Sequence, residues 1–173
     1  MQFLDETVTE KLFSQINIRA GQTLIICAIS MFSCQLLKFI VMSIKEKKLL
    51  WHTLWSTGGM PSSHTSTVVT LVFCLGIFQL TDNSRIDYSF VVAFVFAVIV
   101  IHDAMGVRLE ASKHARILNN IVKDETDKVK KDLGYGKHDK LKELLGHKPL
   151  EVFFGATYGI LIAIIGCLIS LYA

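Results

Sequence analysis

The chain has 173 residues, 51% of them hydrophobic, with 18 Lys and Arg against 15 Asp and Glu for a formal charge of +3. That length suits one domain, and a mean hydropathy of +0.46 is high for a water-soluble one. The charge is gathered between apolar runs, and lysines in that position read as topology and lipid-surface signals, so no nucleic-acid role is expected.

Met1 to Ala20 carries Phe3, Leu4, Leu12, Phe13 and Ile16 at roughly helical spacing, which predicts a short amphipathic lead. It does not read as a cleaved signal. Asp5, Glu6 and Glu10 stand among only Lys11 and Arg19, and the apolar run that follows is longer than an h-region. Four runs can span or nearly span a bilayer, which takes about 20 helical residues. The expected spans lie near 21–44, 62–81, 86–103 and 149–172, the first interrupted only by Lys38. The fold class is therefore an all-α membrane bundle, one domain over 1–173, with a cytoplasmic helical insertion over 104–148.

Charge orients this bundle. Lys45 to Lys48 and the long segment from Asp103 to Lys148 are basic, while the Asp82–Asp87 loop has only Arg85. The positive-inside rule places both basic segments in the cytoplasm and that loop outside. Four spans then leave both termini outside, in a multi-pass protein of a bacterial inner membrane. The polar motifs at span ends, Lys38 included, fall on the cytoplasmic side, and charged groups at such depth read as functional by default.

After Trp51, His52 and Trp55 at the interface comes Gly58-Gly59-Met60-Pro61-Ser62-Ser63-His64. Two glycines permit either sign of φ, and Pro61 is expected at the first helical position, with Ser62, Ser63 and His64 in the first turn. Helix-start amides without intrahelical partners and the positive end of the dipole make such a turn a seat for phosphate. The plain alternative is a helix entry with an N-cap serine.

Span three closes on His102 and Asp103, followed by Arg108. Val107, Ala111, Leu118, Val122, Val129 and Leu133 then recur at helical steps with Lys and Arg on the other faces, an amphipathic helix for the membrane surface. Gly134-Tyr135-Gly136 breaks it, and Asp139 caps a second short helix with Leu141, Leu144 and Leu145 that ends at Gly146. His147 and Glu151 open span four, one helical turn apart, so a carboxylate can hold one imidazole nitrogen and leave the other to attack or take a proton. Lys38, Arg108 and Lys142 are available to neutralise phosphate. Gly155 and Gly159 form a small-xxx-small pair for close packing of that helix, a face through which copies can also associate.

Cys27, Cys34, Cys74 and Cys167 lie within apolar runs without metal-ligand spacing and read as small buried side chains. No metal and no cofactor are expected. The weaker alternative is a metal site of His64, His102, Asp103, His147 and Glu151.

Pro61-Ser62-Ser63-His64 resembles the Pro-Ser-Gly-His motif of type-2 phosphatidic acid phosphatases, and His147-Lys148-Pro149-Leu150-Glu151 resembles the His-x-x-x-Asp end of their third motif. The chain is more specifically similar to the divergent branch of that superfamily. The matching stretches are Gly58 to His64, Asp103-Ala104-Met105-Gly106-Val107-Arg108 and Leu141 to His147, with Gln35-x-x-Lys38 in the first span. This resemblance implies His147 as a nucleophile that forms a phosphohistidine and His64 as the acid for the leaving group. Glu151 would orient His147, while Lys38, Gly59, Ser62, Ser63, Arg108 and Lys142 would hold phosphate oxygens. The partner implied is a membrane lipid carrying a phosphate or diphosphate.

The departures are specific. Lys45-Glu46 stands where the parent family's first motif has Arg-Pro, and serine replaces glycine in the second motif. Glutamate replaces aspartate in the third, and Lys140 and Leu141 replace its Ser-Arg pair. Ser112 and His114 stand where the divergent branch has Gly and Gln. A second expectation therefore stands beside hydrolysis: a non-catalytic carrier or regulator that binds an anionic headgroup on the same fold.

Overall fold

The computed structural model describes residues 6–55, 58–123, 141 and 146–172. In chain order they form α1 (Glu6–Glu46), a 3-10 turn (Trp51–Trp55), α2 (Ser63–Asn83), α3 (Tyr88–Met105), α4 (Val107–Lys123) and α5 (Pro149–Tyr172), with no strand among the described residues. Four helical stretches are long and apolar enough to cross a membrane: Ile18–Glu46, Ser63–Asp82, Tyr88–Val122 and Pro149–Tyr172. Phe153 and Ile169 of α5 are 64% and 63% exposed, which suits a hydrocarbon surround and not water.

The separate amphipathic lead is not found from Glu6 onward. Residues 6–46 form one unbroken helix through Ala20 and Gly21. A lone interior glycine weakens a helix by about 1 kcal/mol, too little to break a run this long. The Gly134–Gly136 break, the Asp139-capped helix and Lys142 lie outside the described residues. Within them, α4 is amphipathic as expected, and the side-chain amide of Asn119 bonds both the N–H and the C=O of Leu141 at 3.0 and 2.9 Å.

Pro61 precedes the helix it was expected to open. Ser62 is the N-cap, accepting from the Thr65 N–H at 3.3 Å, and Ser63 and His64 are the first two helical residues. α2 ends at Ser84, whose left-handed φ of 54° turns its N–H back to Leu80 O. Asp87 caps α3 through the Ser89 N–H, and the Ser89 hydroxyl and amide hold its carboxyl below the usual range. The side chain of Gln79 closes this loop onto α2, donating to Asp87 Oδ1 at 2.8 Å and accepting from the Asp87 N–H at 3.0 Å.

α2 is the central helix, in contact with α1, α3 and α5. In hydrocarbon there is no hydrophobic drive between helices, so close packing and interhelical hydrogen bonds must hold them. Ser62, Ser66, Thr70 and Cys74 recur every fourth residue on α2 and meet Gly155, Gly159, Ala163 and Cys167 at the same step on α5. A Cβ built on Gly155 would stand 2.5 Å from Ser62 O, and one on Gly159 the same distance from Ser66 O. The Thr70 hydroxyl donates to Gly159 O at 3.0 Å, and Ser30 of α1 bridges Ser66 and Thr70 at 2.6 and 2.8 Å. The Gly155/Gly159 face is thus closed inside the bundle, not available to a second copy as expected, because the carbonyls of α2 already occupy it. All four cysteines are buried free thiols on these interfaces.

One end of the bundle carries Lys38 and His64. At the other, Arg19 grips Asp82 through two bonds of 2.8 and 3.0 Å, stacks over the Phe78 ring at 4.7 Å and reaches Ser170 O at 3.4 Å. The expectation that every ionisable group at a span end lies on one side therefore fails for Arg19 and Asp82, while Lys38, His64, His147 and Glu151 do share the other end. Arg19 and Lys38 are about 28 Å apart along α1 at 1.5 Å per residue. That is close to the roughly 30 Å of a hydrocarbon core.

The glycine contacts make a paired prediction. Gly159→Ala should destabilise the bundle by about 1–3 kcal/mol through overpacking. Gly21→Ala, where nothing lies within 4 Å, should not lower stability. Thermal unfolding of the two variants in detergent reads the difference, and equal midpoints would contradict the packing described.

Candidate active site

The chain reaches the Gly58–His64 turn from a tethered 3-10 segment. The Gln35 amide of α1 donates to Thr53 O at 3.2 Å and Leu54 O at 2.5 Å, and Trp51 stacks on Phe39 with centroids 5.2 Å apart. Gly58 and Gly59 are buried, and Gly59 has a φ of +99°, a conformation that side-chain-bearing residues avoid. It lies over the Lys38 side chain, 3.7 Å from Cδ to the position of its absent Cβ. Lys38 is fully buried.

His147 is fixed from three directions. Its N–H donates to Ala104 O at the end of α3 at 3.0 Å. Gly146, immediately before it, packs directly on the backbone of Arg108 and Leu109, where any side chain would collide. One turn later the Glu151 carbonyl accepts from the Ser62 N–H at 3.1 Å, binding the start of α5 to the cap of α2. These contacts bring residues far apart in the sequence to one place. The His64 and His147 ring centroids are 6.3 Å apart, inclined at 56°.

The Glu151 carboxylate, 16% exposed, meets His147 Nδ1 at 3.0 Å. His147 is 2% exposed, and its Nε2 is buried without a hydrogen-bond partner among the described residues. The histidine is therefore held by one nitrogen, while the other is kept from water. His64 is exposed, and Lys38, Arg108 and His147 all lie within Coulombic range of it. Lys38 is also within range of Glu151.

Other expected site residues stand differently. Ser62 is buried and its oxygen already accepts from the Thr65 N–H and, at 3.0 Å, from the Thr65 hydroxyl, so its first duty is the cap. Ser63 is buried beside it. Arg108 and Asp103 form an ion pair with each other, both more than a third exposed. His102 is exposed on the last turn of α3. Lys142 lies outside the described residues. Among the described residues no three His, Cys, Asp or Glu side chains are grouped to hold a metal.

Sequence reasoning missed the Ser30–Ser66–Thr70 seam and the tether made by Gln35. The four-residue recurrence Ser62, Ser66, Thr70 was a signal for the first. The second has no local signal, because Gln35 and Leu54 are joined only by the fold.

The arrangement can seat an anion between two imidazoles, one of them oriented by a carboxylate, beside a helix start and a buried lysine. A protein-family model described as the divergent PAP2 family matches residues 20–162. A membrane protein of Bacillus subtilis (strain 168), YuiD, described as uncharacterized, is 40% identical over 137 residues, covering 76% of this chain and 84% of its own length. No solved structure matches. With the family model matching most of the chain and four apolar helices carrying the fold, the chain is a membrane protein that belongs to the divergent PAP2 family.

Proposed function

We propose that this protein is an integral membrane phosphatase that hydrolyses a lipid phosphate or diphosphate through a phosphohistidine. The observation that carries the reading is His147 itself, its Nδ1 on Glu151 and its Nε2 buried and unpartnered, with the His64 ring 6.3 Å away. A carboxylate on Nδ1 fixes the proton there and directs the Nε2 lone pair outward as a nucleophile.

The steps balance without an added reagent. Nε2 attacks phosphorus and the P–O bond to the lipid breaks, while the departing oxygen takes a proton from protonated His64. Water then attacks the phosphohistidine, giving a proton to His64, and the P–N bond breaks to release inorganic phosphate. Lys38 and the first-turn amides of α2 stabilise charge on the phosphoryl oxygens. Positive charge at this end, from Lys45, Lys47, Lys48, Arg108, Lys113 and Arg116, supports a cytoplasmic placement in a bacterial plasma membrane, with both termini outside.

A second reading is favoured by one observation: Arg108 is already paired with Asp103. On it, the same cup binds an anionic headgroup without turnover, in a carrier or regulator.

Purified protein in detergent is expected to release phosphate from a panel of lipid phosphates and diphosphates, with vanadate inhibiting. His147→Ala should lower the rate by about 10³-fold or more, the scale of losing a nucleophile. His64→Ala should cost about 10²–10⁴-fold, the usual share of a general acid. Equal release from wild type and a folded His147→Ala protein would remove the hydrolase reading. The headgroup reading predicts lipid binding that survives His147→Ala and weakens in Lys38→Ala, read by retention on phosphatidic acid vesicles.

A further inference from the structure

A cavity of about 690 Å³ lies between α1, α2 and α3, its walls including Thr23 and Cys27 of α1, Thr67, Leu71 and Leu75 of α2, and Phe96 of α3. On α2 it runs from Thr67 to Asp82, about 22 Å at 1.5 Å per residue. Its flanks are apolar for most of that length. It closes at the far end on polar groups, the Arg19–Asp82 pair and the Gln79–Asp87–Ser89 cluster.

The opposite end matters more. On α2, His64, Leu71, Leu75 and Asp82 follow steps of seven, four and seven residues, so they share one helical face. On α1, Ala20, Cys27, Cys34 and Lys38 follow steps of seven, seven and four. The α2 wall thus points along one face toward His64, while on α1 the lining ends at Cys27, with Cys34 and Lys38 beyond it fully buried. Thr67, at the cavity's inner end, is one turn from His64.

From this alignment along α2 we infer that the groove is the seat of one hydrocarbon chain of a lipid whose phosphate enters the cup, an inference that rests on the lipid-phosphate reading above. A phosphate between His64 and His147 leaves its attached chain about one helical turn from the groove's inner end. The volume is in the range of small-molecule sites, about 300–1,000 Å³, which suits one hydrocarbon chain. The polar far end marks where the chain must stop, since hydrocarbon cannot satisfy those groups.

The test uses the full chain in phosphatidylcholine nanodiscs with phosphatidic acid bearing a photoreactive diazirine near the end of one acyl chain. The comparison probe is diacylglycerol with the same labelled chain. Phosphatidic acid should label peptides carrying Leu24, Leu71 and Leu75 about tenfold more than diacylglycerol does. Leu75→Trp, which fills the groove, should reduce that labelling by a similar factor. Leu24→Trp, at a 72% exposed rim position that perturbs folding little, should do the same. Equal labelling by the two lipids, labelling spread over α5 at Phe153 and Ile169, or cross-links between copies across the groove would each overturn the assignment. Labelling needs no turnover. Phosphate release without groove labelling therefore overturns the groove alone, and groove labelling without phosphate release upholds the groove while removing the hydrolase reading.

Discussion

The approach of α5 to α2 is the contact from which the remaining geometry follows. Two carbonyls of α2, those of Ser62 and Ser66, stand where side chains on Gly155 and Gly159 would be. Only a hydrogen at those positions lets the backbones meet. In a medium as apolar as the side chains themselves, that close approach and the Thr70–Gly159 bond replace the hydrophobic effect as the source of cohesion. Once α5 is seated, Glu151 faces the cap of α2, and His147, four residues earlier, stands beside His64. The site is thus a by-product of how two helix starts are pressed together, with Ser62 serving both as cap and as the donor that ties them.

Electrostatics at that junction are arranged at a cost. A buried polar atom without a partner is unfavourable by about 1–3 kcal/mol, and His147 Nε2 is such an atom. Its other nitrogen is matched with a carboxylate, so the ring cannot turn over to relieve the mismatch without giving up that bond. Lysine buried in a span is costly as well. The Nε2 atom takes no part in holding the bundle as the Ser–Thr–Gly seam does, and with the proton fixed on Nδ1 it can accept from the hydroxyl of a protonated phosphate.

Much of this was legible in the residues. Apolar length gave the four spans, and the spacing of His147 and Glu151 gave their hydrogen bond, because both depend only on helical geometry. The joining of His64 to His147 came from motif resemblance, since nothing local links positions 83 residues apart. Besides the lead that α1 absorbs, other readings failed for identifiable reasons. Pro61 was placed inside the helix, although Ser62 with its Thr65 contact is the stronger cap. Gly155 and Gly159 are legible as a close-packing stripe, but such a stripe does not say whether its partner is in the same chain, so the association of copies through it was the part that failed. Arg19 and Asp82 were overlooked as a pair because 63 residues separate them and each sits at the edge of an apolar run.

The uninterrupted course of α1 has a mechanical consequence. At 1.5 Å per residue, 41 residues make a rod of about 60 Å, roughly twice the hydrocarbon thickness. Lys38 and the turns that precede Ile18 thus belong to one continuous helix, so the part of α1 that projects beyond its apolar span and the side chain packed under Gly59 share a single axis.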